Sequence, residues 1–72
     1  MKIGTLVEVD TMEDGKLLAI MVNKWYSNRS HDPDLQEFVY RFRYLDNGFE
    51  VSWGAKILKA FIKSDVVKIL SK

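Results

Sequence analysis

Residues 38–53 constrain the fold more than any other stretch, because they have the pattern of a single β-hairpin. Four aromatic rings recur at every second position of its first half, at Phe38, Tyr40, Phe42 and Tyr44. Such alternation places side chains on one face of a strand. Asn47-Gly48 follows, and both residue types tolerate the positive φ that a two-residue hairpin turn requires. The segment therefore predicts two antiparallel strands joined at Asn47-Gly48.

The apolar residues also predict the register of this hairpin. A two-residue turn at Asn47-Gly48 sets Tyr44 opposite Val51 and Phe42 opposite Trp53. A three-residue loop would instead set arginines opposite these apolar partners, because a shift of one residue turns every side chain to the other face. We therefore predict the two-residue turn.

The rest of the chain has the pattern of further short strands. Including the hairpin, we predict five strands near residues 3–10, 16–26, 36–46, 49–55 and 65–70. The run Leu17 to Val22 is apolar at every position, so its strand should be covered on both sides or strongly bent. Residues 54–63 allow two interpretations: one short helical turn near 56–62, or an extended continuation of the hairpin strand.

A core can be predicted from these strands. Nine apolar side chains are expected to be mostly buried: Val7, Val9, Ile20, Val22, Phe42, Val51, Phe61, Val67 and Ile69. Phe38 and Phe49 are also interpreted as rings that fill this core. The fold class expected is mainly β, a small five-stranded antiparallel barrel.

Composition limits the functions that such a domain can have. Seventy-two residues make one domain, 1–72, and the formal net charge of +1 lacks the surplus of cations typical of a DNA-backbone binder. The chain has no cysteine, so disulfides, cysteine zinc ligands and thiol nucleophiles are excluded. No signal peptide or membrane-spanning run is visible, so we expect a cytoplasmic protein.

Clusters of reactive side chains are sparse. His31-Asp32-Pro33-Asp34 brings an imidazole near two carboxylates, but no second histidine completes a metal site. Residues 10–15 hold three carboxylates without the alternating spacing of a calcium loop. We therefore expect no metal, no cofactor and no catalytic site.

The best candidate for a binding site is the end of the second strand and the polar loop that follows it, residues 23–36. Trp25 and Tyr26 are adjacent in a strand, so their rings point to opposite faces and at most one can be fully buried. An exposed ring beside a polar loop is a typical anchor for a partner. We predict a protein-binding site formed by Trp25, Tyr26, Arg29 and His31.

Two other functions stay open at this point. The aromatic rings together with Arg41 and Arg43 could bind single-stranded nucleic acid, although these arginines fall on the face opposite Tyr40 and Tyr44. A structural virion or assembly component could pair through an exposed strand edge.

The order of these segments resembles SH3-like barrels. The resemblance lies in Gly4-Thr5-Leu6-Val7-Glu8-Val9, in Gly15-Lys16-Leu17 leading to Ile20-Met21-Val22, in the aromatic strand with Asp46-Asn47-Gly48, and in Phe61-Ile62 before Ser64-Asp65-Val66-Val67-Lys68-Ile69-Leu70. Short proteins of this pattern are common among uncharacterised products of tailed bacteriophages. The resemblance implies a five-stranded SH3-like barrel, in the host cytoplasm if the chain is phage-encoded. It supplies no site residues. The sequence as a whole predicts a non-catalytic module that binds a protein partner.

Overall fold

The computed structural model describes residues 2–27 and 37–71. These residues form five strands and one helix with their connecting loops. The elements are β1 (Leu6–Asp10), β2 (Lys16–Ser27), β3 (Glu37–Tyr44), β4 (Glu50–Gly54), α1 (Ala55–Lys63) and β5 (Val67–Ser71). The mainly β class is confirmed. Of the two interpretations of residues 54–63, the helical one is correct.

The strands form one antiparallel sheet in the order β4-β3-β2-β1-β5. β4 and β5 are its two edges, and within the described residues they do not pair with each other, so the sheet is open rather than closed into a barrel. The chain passes from one edge to the other through α1, which contacts β3, β4 and β5. No helix in residues 2–27 and 37–71 is long and apolar enough to cross a membrane.

The register of the β3–β4 hairpin differs from the prediction by two residues. Phe42 lies opposite Val51 and Tyr40 lies opposite Trp53. A shift by an even number of residues keeps every side chain on its predicted face. The predicted pairing was therefore wrong, whereas the predicted division between core and outer face was right.

A longer turn accounts for this shift. Residues 45–48 form a four-residue loop, closed by the Tyr44 amide, which donates to the Phe49 carbonyl at 2.8 Å. Gly48 has the predicted positive φ, 75°. Asn47 acts instead through its side chain, which accepts a hydrogen bond from the Phe49 amide at 2.9 Å. This Asx contact stabilises the longer loop without a positive φ at Asn47.

A bulge in β2 changes which of its side chains face the core. Met21 lies opposite Phe42, whereas Asn23 lies opposite Arg41, so Val22 is an extra residue without a partner on β3. Before the bulge the odd-numbered residues face inward; beyond it the even-numbered residues do.

The buried core lies between the sheet and α1. Its apolar members are Val7, Val9, Ala19, Met21, Phe42, Leu58 and Val67. The predictions for Val7, Val9, Phe42 and Val67 are confirmed. Val51, Phe61 and Ile69 are partly buried and pack against this cluster.

Four predicted core residues lie outside this cluster. Ile20 and Val22 are only partly buried because Ala19 lies opposite the core residue Val7, which gives the inner face of β2 to Ala19 and Met21. Phe38 and Phe49 are 47% and 70% exposed, because Phe38 lies near the start of β3 and Phe49 immediately before β4, at the margins of the buried cluster.

Candidate binding groove

The end of β2 places its two adjacent aromatic residues on different faces of the sheet. Trp25 lies opposite Val39, and Tyr26 lies opposite Phe38. Trp25 is half-buried, whereas Tyr26 is 51% exposed. The prediction that at most one of the two rings is fully buried is confirmed.

Three rings form a row on the face that carries α1, and we call Tyr26, Phe38 and Tyr40 the aromatic wall. The centroids of Tyr26 and Phe38 are 5.3 Å apart with their planes at 73°. Phe38 and Tyr40 follow at 6.5 Å. The edge-to-face contact favours these positions of the first two rings.

α1 supplies the opposite wall. Ala55, Leu58 and Ile62 recur at intervals of three and four residues, which places them on one side of the helix. Between this side and the aromatic wall lies a concave space of about 460 Å³, which we call the groove. Its lining consists of Tyr26, Glu37, Phe38, Tyr40, Ala55, Lys56, Leu58, Lys59 and Ile62.

Lysines border the groove along the helix. Lys56, Lys59 and Lys63 have helical spacing, so they form one stripe, which we call the lysine row. α1 contains no acidic residue to offset them. Lys24 adds a further cation on the sheet side, opposite Tyr40. The rim of the groove is therefore cationic.

Glu37, the one acidic residue among the described residues of the lining, is engaged by the helix. The Lys56 amide donates a hydrogen bond to Glu37 Oε2 at 3.1 Å. Gly54, at the N-cap position, provides no side-chain hydrogen bond of its own. The carboxylate of β3 thus performs the capping role, and it also lies close to the positive end of the helix dipole.

The absence of a side chain at Gly54 makes room for this contact. A Cβ atom built there would overlap the Glu37 carboxylate. Gly54 has φ −66° and ψ 159°, an extended conformation open to any residue. Glycine at this position therefore leaves space for the Glu37 carboxylate, which a side chain would displace, and is not needed for backbone freedom.

The outer face of the sheet carries the two arginines considered for nucleic-acid binding. Arg43 donates from Nε and Nη2 to Glu50 Oε2 at 3.0 and 2.7 Å. The Arg41 guanidinium lies 5.2 Å from the centre of the Trp25 ring, and its Nε is 3.4 Å from Ser52 Oγ. Both cations are thus already engaged by neighbours on this outer face.

The structure separates the residues of the predicted protein-binding site. Tyr26 lies in the groove, whereas Trp25 lies on the outer face with Arg41. Arg29 and His31 lie outside the described residues. In the described ranges, 2–27 and 37–71, no three potential metal ligands lie together.

Sequence reasoning missed most of the groove. The spacing of Leu58 and Ile62 allowed a short helix as one of two interpretations, and the lysines three and four residues apart were visible beside it. What could not be read was that this helix lies over the end of β3. Phe38 was consequently assigned to the core, although it forms the middle of the aromatic wall.

Comparison of the chain with protein-family models, curated proteins and solved structures finds no match. The groove and its chemistry are therefore the features that indicate a function.

Proposed function

We propose that this chain is a non-catalytic binding module whose groove receives a protein partner. The observation that carries the proposal is an aromatic wall whose Tyr26 and Phe38 rings are about half exposed beside the apolar side of α1. Exposed aromatic side chains grouped in a concavity are typical of the centres of protein interfaces, where burial of one ring contributes much of the affinity.

The outer face offers less to an anionic partner. Arg43 is paired with Glu50, and Arg41 lies over Trp25, so a phosphate would have to displace these contacts. The formal charge of +1 adds no strong general attraction for nucleic acid. These features support a protein partner over the single-stranded nucleic acid considered from the sequence.

We also propose that the sheet is of the SH3-like class. Support comes from the return of β5 beside β1 and from the bulge in β2, since a bulge bends a strand and brings the edges of a sheet closer. An experimental structure with β4 far from β5 and a flat β2 would contradict this assignment.

The test of the binding function compares two matched variants. Phe38 and Leu18 are similarly exposed, at 47% and 42%, but Phe38 lies in the groove and Leu18 on the outer face. Proteins that copurify with the wild type, Phe38→Ser and Leu18→Ser are collected with and without nuclease. We expect a partner that survives nuclease, is lost with Phe38→Ser and is kept with Leu18→Ser.

Two results would contradict the proposal. Loss of every partner after nuclease would favour the nucleic-acid function. A nuclease-resistant partner that both variants retain would direct attention to the open edges of β4 and β5, as expected of an assembly component that pairs through a strand.

A further inference from the structure

We propose that the groove binds an acidic segment of a protein partner, with one apolar side chain inside the groove and flanking carboxylates against the lysine row. The inference rests on the proposed function, since it specifies the partner of the same site.

Charge complementarity selects the acidic partner. Three lysines follow one side of α1, and no acidic residue of the helix offsets them. Glu37 lies in the lining, but its carboxylate accepts the Lys56 amide hydrogen bond at the start of the helix. Within residues 2–27 and 37–71 neither Lys59 nor Lys63 forms an ion pair, so a carboxylate on the partner would meet positive charge there, which favours encounter and correct orientation.

The interior of the groove selects an apolar side chain. Leu58 forms its base at 4% exposure, and Ile62, Phe38 and Tyr40 form its sides. A volume of about 460 Å³ is within the range of small-ligand pockets and holds one or two large side chains. A purely polar acidic peptide would leave these apolar surfaces exposed to water and would form only weak, screened ion pairs.

The same geometry disfavours a nucleic acid in the groove. Stacking of successive bases needs exposed ring faces, but Tyr26 and Phe38 meet edge to face at 73°. The described residues of the rim include lysines, which are point charges, and no arginine, whose fork pairs bidentately with phosphate.

Four synthetic peptides of equal length test the inference. The first carries a central Leu-Phe pair flanked by Asp and Glu on both sides. The second replaces the acids with Ser and Gln, the third replaces them with Lys, and the fourth keeps the acids but replaces Leu-Phe with Ser. Each is titrated into the isotope-labelled full chain, and amide chemical shifts give both the affinity and the contacted surface.

We expect the first peptide to bind about tenfold more tightly than the second, since two rim ion pairs each contribute a fraction of a kcal/mol. The third and fourth should bind more weakly still. The perturbed amides should be those of β3 near Phe38 and of α1 near Lys59. Those around Arg41 on the outer face should be unchanged.

A charge-reversal pair provides the matched control. Lys59→Glu should weaken the first peptide about fivefold to tenfold while improving the third. Lys68→Glu, on β5, makes the same change in net charge away from the groove and should alter neither affinity by more than about twofold. Both replace exposed side chains, and circular dichroism confirms that each variant is folded.

The outcomes separate this inference from the proposed function. Equal binding of the first and second peptides in the groove would overturn the acidic preference and leave a protein-binding groove. Absence of binding by all four peptides would also overturn it, while the nuclease experiment decides the proposed function independently. Equal effects of Lys59→Glu and Lys68→Glu would show that only net charge matters, and would overturn the assignment to the lysine row.

Discussion

The contact between Glu37 and the start of α1 makes a prediction that can be tested with two substitutions. Glu37 Oε2 accepts a hydrogen bond from the Lys56 amide at 3.1 Å, and Gly54 leaves the space for it. If the carboxylate caps the helix from the neighbouring strand, the effect of a side chain at position 54 must depend on residue 37. The perturbation is therefore Gly54→Ala, measured with and without Glu37.

The expected magnitudes follow from the geometry. Glu37→Ala removes the acceptor of one N-terminal amide, and loss of a capping side chain costs about 1 kcal/mol of stability. Gly54→Ala has two opposing effects in the wild type. The new Cβ displaces the carboxylate, which costs the same stability of about 1 kcal/mol. Alanine also reduces the conformational freedom of the unfolded chain, which stabilises the folded domain by roughly 0.4–1 kcal/mol. The net effect should be between zero and about 0.6 kcal/mol of destabilisation.

In the Glu37→Ala background the sign should change. No carboxylate remains to be displaced, and the extended conformation of Gly54, φ −66° and ψ 159°, suits alanine without strain. Gly54→Ala should then stabilise the domain by roughly 0.4–1 kcal/mol. The coupling free energy between the two positions is therefore about 1 kcal/mol.

Urea and thermal unfolding followed by circular dichroism measure this cycle. For a domain of this size, 1 kcal/mol shifts Tm by about 4–8 °C, so the effects are resolvable. Glu50→Ala is the matched control: it removes another carboxylate, one that bonds Arg43 rather than α1, so it should leave the effect of Gly54→Ala unchanged. An equal effect of Gly54→Ala in the wild-type and Glu37→Ala backgrounds would refute the capping argument.

Three further predictions concern the core, the hairpin turn and ionisation. Phe42 is fully buried, so Phe42→Ala should cost roughly 3–5 kcal/mol in urea unfolding; an unchanged Tm would contradict its central position. Gly48 has φ 75°, so Gly48→Val should cost about 1 kcal/mol or more of stability. Ser52→Val, at an exposed position of β4, should cost little. Equal effects of the two substitutions would show that valine causes no strain in the turn. Burial raises the pKa of the Tyr44 phenol above its ordinary value of 10.0, so the unfolded chain loses this proton first. The contribution of Tyr44 to stability should therefore be constant below about pH 10 and fall as the pH rises beyond it. Tyr44→Phe should make the loss of stability at alkaline pH smaller. Identical alkaline unfolding profiles of the wild type and Tyr44→Phe would falsify this prediction.

How far the sequence predicted the fold is clearest in the β3–β4 hairpin. The alternation of aromatic residues correctly assigned their shared face, because period two is a local property of the strand. The predicted register was wrong because the Asn47 side chain accepts a hydrogen bond from the Phe49 amide and stabilises a four-residue loop. Turn length depends on such specific contacts, and an Asn-Gly pair is compatible with more than one turn length.

The inner face of β2 could not be read from its composition. Leu17 to Val22 is apolar throughout, so either parity of residues could have formed the core. The choice is made by pairing with β1, which sets Ala19 opposite Val7, and by the bulge at Val22. Both are properties of the assembled sheet and leave no mark on the local pattern.

The candidate site was predicted only at Tyr26, for a related reason. The sequence placed an exposed ring at the end of β2, but the groove exists only because α1 lies over the end of β3. That position is fixed partly by Glu37, whose bond to the Lys56 amide joins residues 19 positions apart. No spacing rule connects a strand glutamate with a glycine at a distant helix start.

The Glu37 contact also determines the character of the groove. A glutamate left free at this rim would face Lys59 and reduce the attraction of a carboxylate on a partner. Its carboxylate instead accepts the hydrogen bond of the Lys56 amide at the start of α1, where it also interacts with the helix dipole. The same bond that fixes the helix wall beside the aromatic wall thus leaves the entrance positively charged. The position of α1 and the acidic preference that we propose for the groove are therefore linked through one contact between β3 and the start of the helix.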